Sequence, residues 1–251
     1  MRKSWDKMLF SVIVLIIFSV DLKGEAIAYP AITWKGERLV FALSWFNIPA
    51  GISVAEVKDA EDFHGKKMYR LSVISESNQT IDAFYKVRDS IFSYVFADTL
   101  ASHAFIVHQK EGSYRGEKEI IFDYANKTAM FRKNENISFH VIPDFVSDSL
   151  SAFYYFRTKK LIVGKSITID VFDDQKLWQV EVHVLGKERI QTPAGVFDTI
   201  LIKPLLKFEG IFQRKGDVYL WVTDDNRKMP VRMKSKVIIG SIYADLIQYQ
   251  H

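Results

Sequence analysis

The chain has 251 residues, a formal charge of +4 and 48% hydrophobic residues, and it contains no cysteine. The missing thiol excludes disulfides, thiolate metal sites and a lipid-modified cysteine behind the leader, so the chain is not expected to be a lipoprotein. The mild basicity is no nucleic-acid signature, and none is expected as a partner; anionic lipid or polysaccharide surfaces remain compatible with it.

Arg2, Lys3 and Lys7 precede an uninterrupted apolar run from Met8 to Val20, and Ala26-Ile27-Ala28 follows a short polar stretch. A run this short falls below the roughly 20 residues a spanning helix needs and reads as the core of a signal peptide. Cleavage is predicted after Ala28. The expected organisation is a signal peptide over 1–28 and one β-rich domain over 29–251, in two halves (about 29–145 and 164–251) joined by a helix. No further segment is long and apolar enough to span a membrane. The expected location is the periplasm or the outer membrane.

Glu37 to Phe46 alternates, with Leu39, Phe41, Leu43 and Trp45 on one face. Asn47 to Gly51 reads as a turn and Ile52 to Lys58 as the return strand. Further strand-like pieces follow at 68–75, 90–96, 103–109, 118–124, 128–132 and 137–142, with turn signals between them, and Ile81, Phe84 and Tyr85 suggest one helical turn. Ser147 to Lys159 breaks the alternation. Leu150, Phe153, Tyr154 and Arg157 recur at helical spacing, Ser147 or Asp148 can cap, and lysines close the far end. Strands resume at Ser166 to Phe172 and at Trp178, Val180, Val182 and Val184. Thr192-Pro193-Ala194-Gly195 turns into Val196 to Lys203, and Phe208 to Gln213 leads on to a last unit over 216–250. That unit turns at Asp224 to Lys228. Odd residues are apolar from Val231 to Ile239; even ones (Ile242, Ala244, Leu246) take over beyond Gly240, which predicts a bulge or bend there. The fold expected is mostly β: a long antiparallel meander, as a curved sheet, a half-barrel or two packed sheets, with one central helix near 147–159.

Four pieces occur in order: Gly36-Glu37-Arg38-Leu39 with Pro49-Ala50-Gly51; Asp148 to Arg157 (DSLSAFYYFR); Thr192 to Thr199 (TPAGVFDT); and Trp221 to Asp225 through Pro230-Val231-Arg232-Met233 to Ile239-Gly240-Ser241. Together they resemble the domain of unknown function 3108 family of exported bacterial proteins. The resemblance implies an envelope β-protein and supplies no catalytic residues. More loosely, the meander is similar to periplasmic lipoprotein-carrier folds, which hold acyl chains in a half-barrel.

Catalytic signatures are missing. His64, His103, His108, His140, His183 and His251 form no HExxH, HxH or HxxxH pattern, so no metal site is expected. Asp173-Asp174 and Asp224-Asp225 sit where turns are expected and lack the spaced oxygens of a calcium loop. There is no G-x-S-x-G, Walker or GxGxxG motif, and no cofactor or catalytic residue is expected. Two features suit a ligand. Phe153 to Phe156 with Arg157 reads either as the greasy wall of a cavity with arginine at its mouth or as a helix plugging the sheet. Arg232, Lys234 and Lys236 form a basic stripe that either guards a sheet edge or meets an anionic partner. The sequence therefore suggests a non-enzymatic binder of an amphipathic envelope molecule (lipid, lipopolysaccharide or polysaccharide) lying along the concave face near Trp45, Trp178 and Trp221, with Arg157, Arg232, Lys234 and Lys236 at its polar end. A structural module pairing with another envelope protein is the alternative. A hydrolase requires a pocket where a serine or carboxylate meets a histidine.

Overall fold

The computed structural model describes residues 34–206, 217–236 and 240–250. Residues 1–33, the piece from Phe208 to Gln213, Val237, Ile239 and His251 lie outside the described residues.

The first half runs through β1 (Arg38–Trp45), β2 (Ile48–Phe63), β3 (Lys66–Ser77), the short helix α1 (Gln79–Asp82), β4 (Arg88–Phe96), β5 (Ser102–Glu111), β6 (Tyr114–Asp123), β7 (Thr128–Lys133) and β8 (Asn136–Val141). Helix α2 (Ser149–Arg157) follows. Then come β9 (Ser166–Asp173), β10 (Lys176–Thr192), β11 (Gly195–Leu206), β12 (Val218–Thr223), β13 (Pro230–Lys236) and β14 (Ser241–Gln250). All fourteen strands form one antiparallel sheet in the order β8-β7-β6-β5-β4-β3-β2-β1-β14-β13-β12-β11-β10-β9. The first and last strands thus meet in the middle of the sheet, where β1 pairs with β14, and two wings extend to the edges β8 and β9.

The wings curl toward each other. Phe172 on β9 packs edge-on against Phe122 of β6 and lies near His140 of β8, and Lys118 of β6 reaches the Asp173 carboxylate at 2.5 Å. The main core lies between them. Strand alternation produces it directly: Val180, Val182 and Val184 are buried while Glu181 and His183 are not. Phe105, Ile120 and Phe131 from the first wing meet Val171, Ile202 and Val222 from the second in that one cluster.

Two details differ from the sequence reading. The first turn is Phe46-Asn47, both in the left-handed region (φ 50° and 62°), and Pro49 to Gly51 already belong to β2. A two-residue hairpin of this hand matches strand twist better than a longer proline turn. Gly51 is needed for another reason: a Cβ there would lie 2.0 Å from the Glu76 carbonyl oxygen. The second difference is at Gly240. The chain does not bend within one strand there; it reverses, and β13 pairs antiparallel with β14. Met233 lies opposite Ala244 and Ser235 opposite Ile242. An odd residue opposite an even one moves the buried set from odd to even numbers, so the switch of pattern marks a hairpin.

Candidate functional site: the outer face of β11 to β14

The concave face is occupied. Leu150, Ala152, Tyr154, Tyr155 and Phe156 of α2 are buried in the main core, with Phe153 packed against it, and the helix lies on β9 and β4. A helix apolar nearly all round belongs in such a place. Asp148 begins it. One carboxylate oxygen accepts from the Leu150 and Ser151 amides, the other from the Ser93 and Ser102 hydroxyls at 2.5 and 2.6 Å. Burial pushes this carboxyl above its usual range, against the lowering effect of those hydrogen bonds. Arg157 ends the helix. It donates two 2.6 Å hydrogen bonds to Glu37, both side chains being essentially fully buried, and its guanidinium lies 4.8 Å from the Trp34 ring and 5.2 Å from that of Tyr154. The arginine expected at a cavity mouth is therefore the bolt that fastens the plug to the start of β1.

The remaining residues singled out from sequence divide between the two faces of the sheet. Trp45 on β1 and Trp178 on β10 belong to the inner side. Trp178 is buried and donates to the Asp173 carbonyl, and Trp45 stands against Phe46 with ring centroids 5.1 Å apart. Trp221, Arg232, Lys234 and Lys236 alternate with the buried Val222, Val231 and Ser235 and share the outer face.

On that face the register brings them together. Trp221 lies opposite Arg232, which lies opposite Asp245; Tyr219 lies opposite Lys234, which lies opposite Tyr243. Lys203 extends the second row, its ammonium 5.1 Å from the Tyr219 ring. Most charges here are matched. Arg232 bonds Asp245, the Trp221 indole donates to Glu188 at 2.5 Å, and Lys203 and Lys236 flank Asp217 at 2.8 and 3.1 Å. Lys203 first, then Lys236, holds the Asp217 carboxyl below its usual range. Lys234 is different. Its ammonium sits 5.2 Å from the Tyr243 ring, and no carboxylate pairs with it among the described residues. Tyr219, Tyr243 and Lys203 were not identified from sequence. The alternation that turns Lys234 outward also turns Tyr219 outward, each half-buried, but Tyr243 joins them only through the hairpin at Gly240.

A cleft of about 450 Å³ opens at the β7–β8 turn, lined among others by Lys133, Asn136, Ile137, Ser138 and Gln175. Ser138 of its lining meets His140 at 2.8 Å, so a serine does touch a histidine. Among the described residues no carboxylate hydrogen-bonds His140, and the third member that would orient it as a base is missing. Nor does any group of three or more acidic or histidine side chains suited to a metal occur among the described residues.

Toward α1 the inner face carries a pair of carboxyls, also missed. Glu111 is buried on β5. Burial first, then the neighbouring Asp89, pushes its carboxyl up to about 8; Tyr85 donates to it at 3.3 Å and Gln109 at 3.4 Å. Asp89 accepts from the Lys110 amide at 2.9 Å.

The family model for a protein of unknown function, DUF3108, matches residues 40–247. This chain belongs to the DUF3108 family. No curated protein matches the chain. Among solved structures, this DUF3108 member is similar to a β-barrel-like protein of another domain of unknown function, DUF1849, from Brucella abortus, at a TM-score of 0.56 and 9% identity, covering 86% of this chain and 97% of that one. That likeness concerns the fold alone. Weaker likenesses are to an exported-protein candidate with a YmcC-like fold from Bacteroides fragilis (TM-score 0.39, 15% identity, 90% of this chain and 100% of that one) and to a lipoprotein candidate from Parabacteroides distasonis (TM-score 0.37, 10% identity, the same coverage).

Proposed function

We propose that this chain is an exported envelope protein that acts by binding, and that the outer face of β11 to β14 takes the anionic headgroup or acidic sugar of an amphipathic envelope molecule. The signal-like pattern from Arg2 to Ala28 supports export. The observation that carries the binding reading is Lys234, a cation standing between two tyrosines in a row that Lys203 prolongs, without a carboxylate of its own among the described residues. A cation on an aromatic row suits an anionic group attached to a flat or apolar body. The inner face has less support as a ligand site, because α2 fills the core against β4 and β9 and Trp178 is itself buried.

Sedimentation with vesicles tests this. Phosphatidylglycerol vesicles, phosphatidylcholine vesicles and a soluble acidic polysaccharide form the three arms. The expected result is binding to one or both anionic probes, none to phosphatidylcholine, and weakening with salt. Each basic residue at an anionic surface contributes about 1 kcal/mol, so the charge reversal Lys234→Glu, worth about twice that, is expected to weaken binding roughly thirtyfold. Equal binding to phosphatidylcholine, or indifference to Lys234→Glu, defeats the proposal.

A further inference from the structure

The two edges of this sheet are treated differently by the fold. Edge β9 is covered: Ser147 pairs with it through Ser147 N–H to Asp170 O (3.1 Å) and Phe172 N–H to Ser147 O (2.8 Å), and α2 packs on the same strand. Edge β8 has no such backbone partner or helix among the described residues; the β9–β10 turn meets side chains of its inner face and of the β7–β8 turn, Ser138 reaching Gln175 at 3.3 Å and Lys133 reaching Asp174 at 3.6 Å. Lys133 and Asn136 close the two-residue turn Asn134-Glu135, so Ser138 and His140 point their main-chain groups at β7 while Ile137, Phe139 and Val141 point theirs to the free side. Among the described residues no backbone hydrogen bond joins those three to any element other than β7. The same three side chains stand 57%, 70% and 82% exposed. Natural edges are usually blunted by lysine, proline or a bulge. β8 (NISFHV) has no charged residue and no proline, and its pairing with β7 has no register shift.

We infer that β8 is an interface for a second copy of this chain, paired antiparallel about a two-fold axis through Phe139. That register places Phe139 opposite Phe139, Ile137 opposite Val141 and, on the inner side, Ser138 opposite His140 of the other copy. Every outward pair is apolar, and no like charges meet. Beyond the strand ends, the turn with Lys133 and Glu135 comes beside the end with Lys127 and Asp144 of the other copy, one charge of each sign on both sides. The pairing adds about six main-chain hydrogen bonds and joins two sheets into one. β8 ends the wing opposite to the one that carries Lys234, so the inference does not depend on the ligand reading.

Two six-residue strands bury less than the ~1,200 Å² of a stable interface, so the association is weak, with a dissociation constant between about 10 μM and about 1 mM. Sedimentation equilibrium of the mature protein from about 5 μM to about 1 mM tests it. The expected result is a rise of the weight-average mass toward twice the monomer's. Phe139→Lys, which sets two ammonium groups face to face, is expected to abolish the rise, with circular dichroism and the melting temperature as the check that this exposed substitution leaves the fold intact. Because Ile137 meets Val141, an equimolar mixture of Ile137→Lys with Val141→Asp is expected to associate more tightly than either variant alone. A monomer at the highest concentration, a dimer indifferent to Phe139→Lys, or a mixture no tighter than its components overturns the inference.

Discussion

Glu111→Gln probes the buried carboxyl pair through pH. Burial and the adjacent Asp89 raise the Glu111 carboxyl from 4.5 to about 8. In the folded protein the proton stays on Glu111, which donates to Asp89; in the unfolded chain it leaves near the ordinary glutamate value. Between those two values the folded state binds more protons than the unfolded one. The contribution is therefore fully present below about 4.5 and is lost as pH rises through about 8, with a limiting slope of about 1.4 kcal/mol per pH unit. Glutamine can donate the same hydrogen bond but cannot ionise. Wild type and variant are thus expected to have similar stability at pH 5, and the variant is expected to gain on the order of 3–4 kcal/mol relative to wild type by pH 8. Urea unfolding of both proteins from pH 5 to pH 9, with free energies extrapolated to zero urea, gives this difference directly. Lowered carboxyls such as Asp82 and Asp217 act in a more acidic window and cancel in the comparison. Parallel stability curves for the two proteins would refute the reasoning, because they would mean that Glu111 is ionised in the fold at neutral pH.

Arg157→Ala leaves Glu37 as an unpaired buried carboxylate and should cost about 3–5 kcal/mol in urea unfolding, whereas Glu37→Gln combined with Arg157→Met should recover most of it. Asp148→Ala removes the cap of α2 and strips acceptors from Ser93 and Ser102; a loss of about 2–4 kcal/mol is expected, with the amides of α2 exchanging hydrogen faster. Gly51→Ala drives a methyl group into the Glu76 carbonyl and should cost about 2 kcal/mol or more, while Gly186→Ala, where the backbone is not left-handed and a Cβ meets nothing within 4 Å, should cost less; thermal melts of the two variants side by side decide it.

Much of the architecture was legible along the chain. Period-two alternation located most strands, including the run from Trp178 to Val184, because a strand buried on one face must repeat every second residue. The helical spacing of Leu150, Tyr154 and Arg157 behind Asp148 marked α2 to within two residues at either end. The same alternation set Arg232 and Lys234 opposite the buried residues of β13, whereas Trp221, expected on the concave face beside Trp45 and Trp178, joins them through its register with Arg232. What the pattern hid was anything depending on which strand lies beside which. Glu37 and Arg157 are 120 residues apart, and neither carries a local sign of the other. Asp89 and Glu111 look like ordinary strand polars until β4 and β5 align. Trp45 and Trp178 are aromatic like Trp221, yet they belong to the opposite face.

The sequence by itself determined a mostly β chain with one central helix, the absence of cysteine chemistry and the placement of Arg232 and Lys234 on one face of their strand, because all of these follow from composition or from neighbours a few residues apart. Only the tertiary structure decided that α2 plugs the concave face, that Tyr243 joins Lys234, and that β9 is covered while β8 is left open. Each of those depends on how the sheet curls and on the pairing of β1 with β14 and β13 with β14, contacts between residues distant in sequence that no local period encodes.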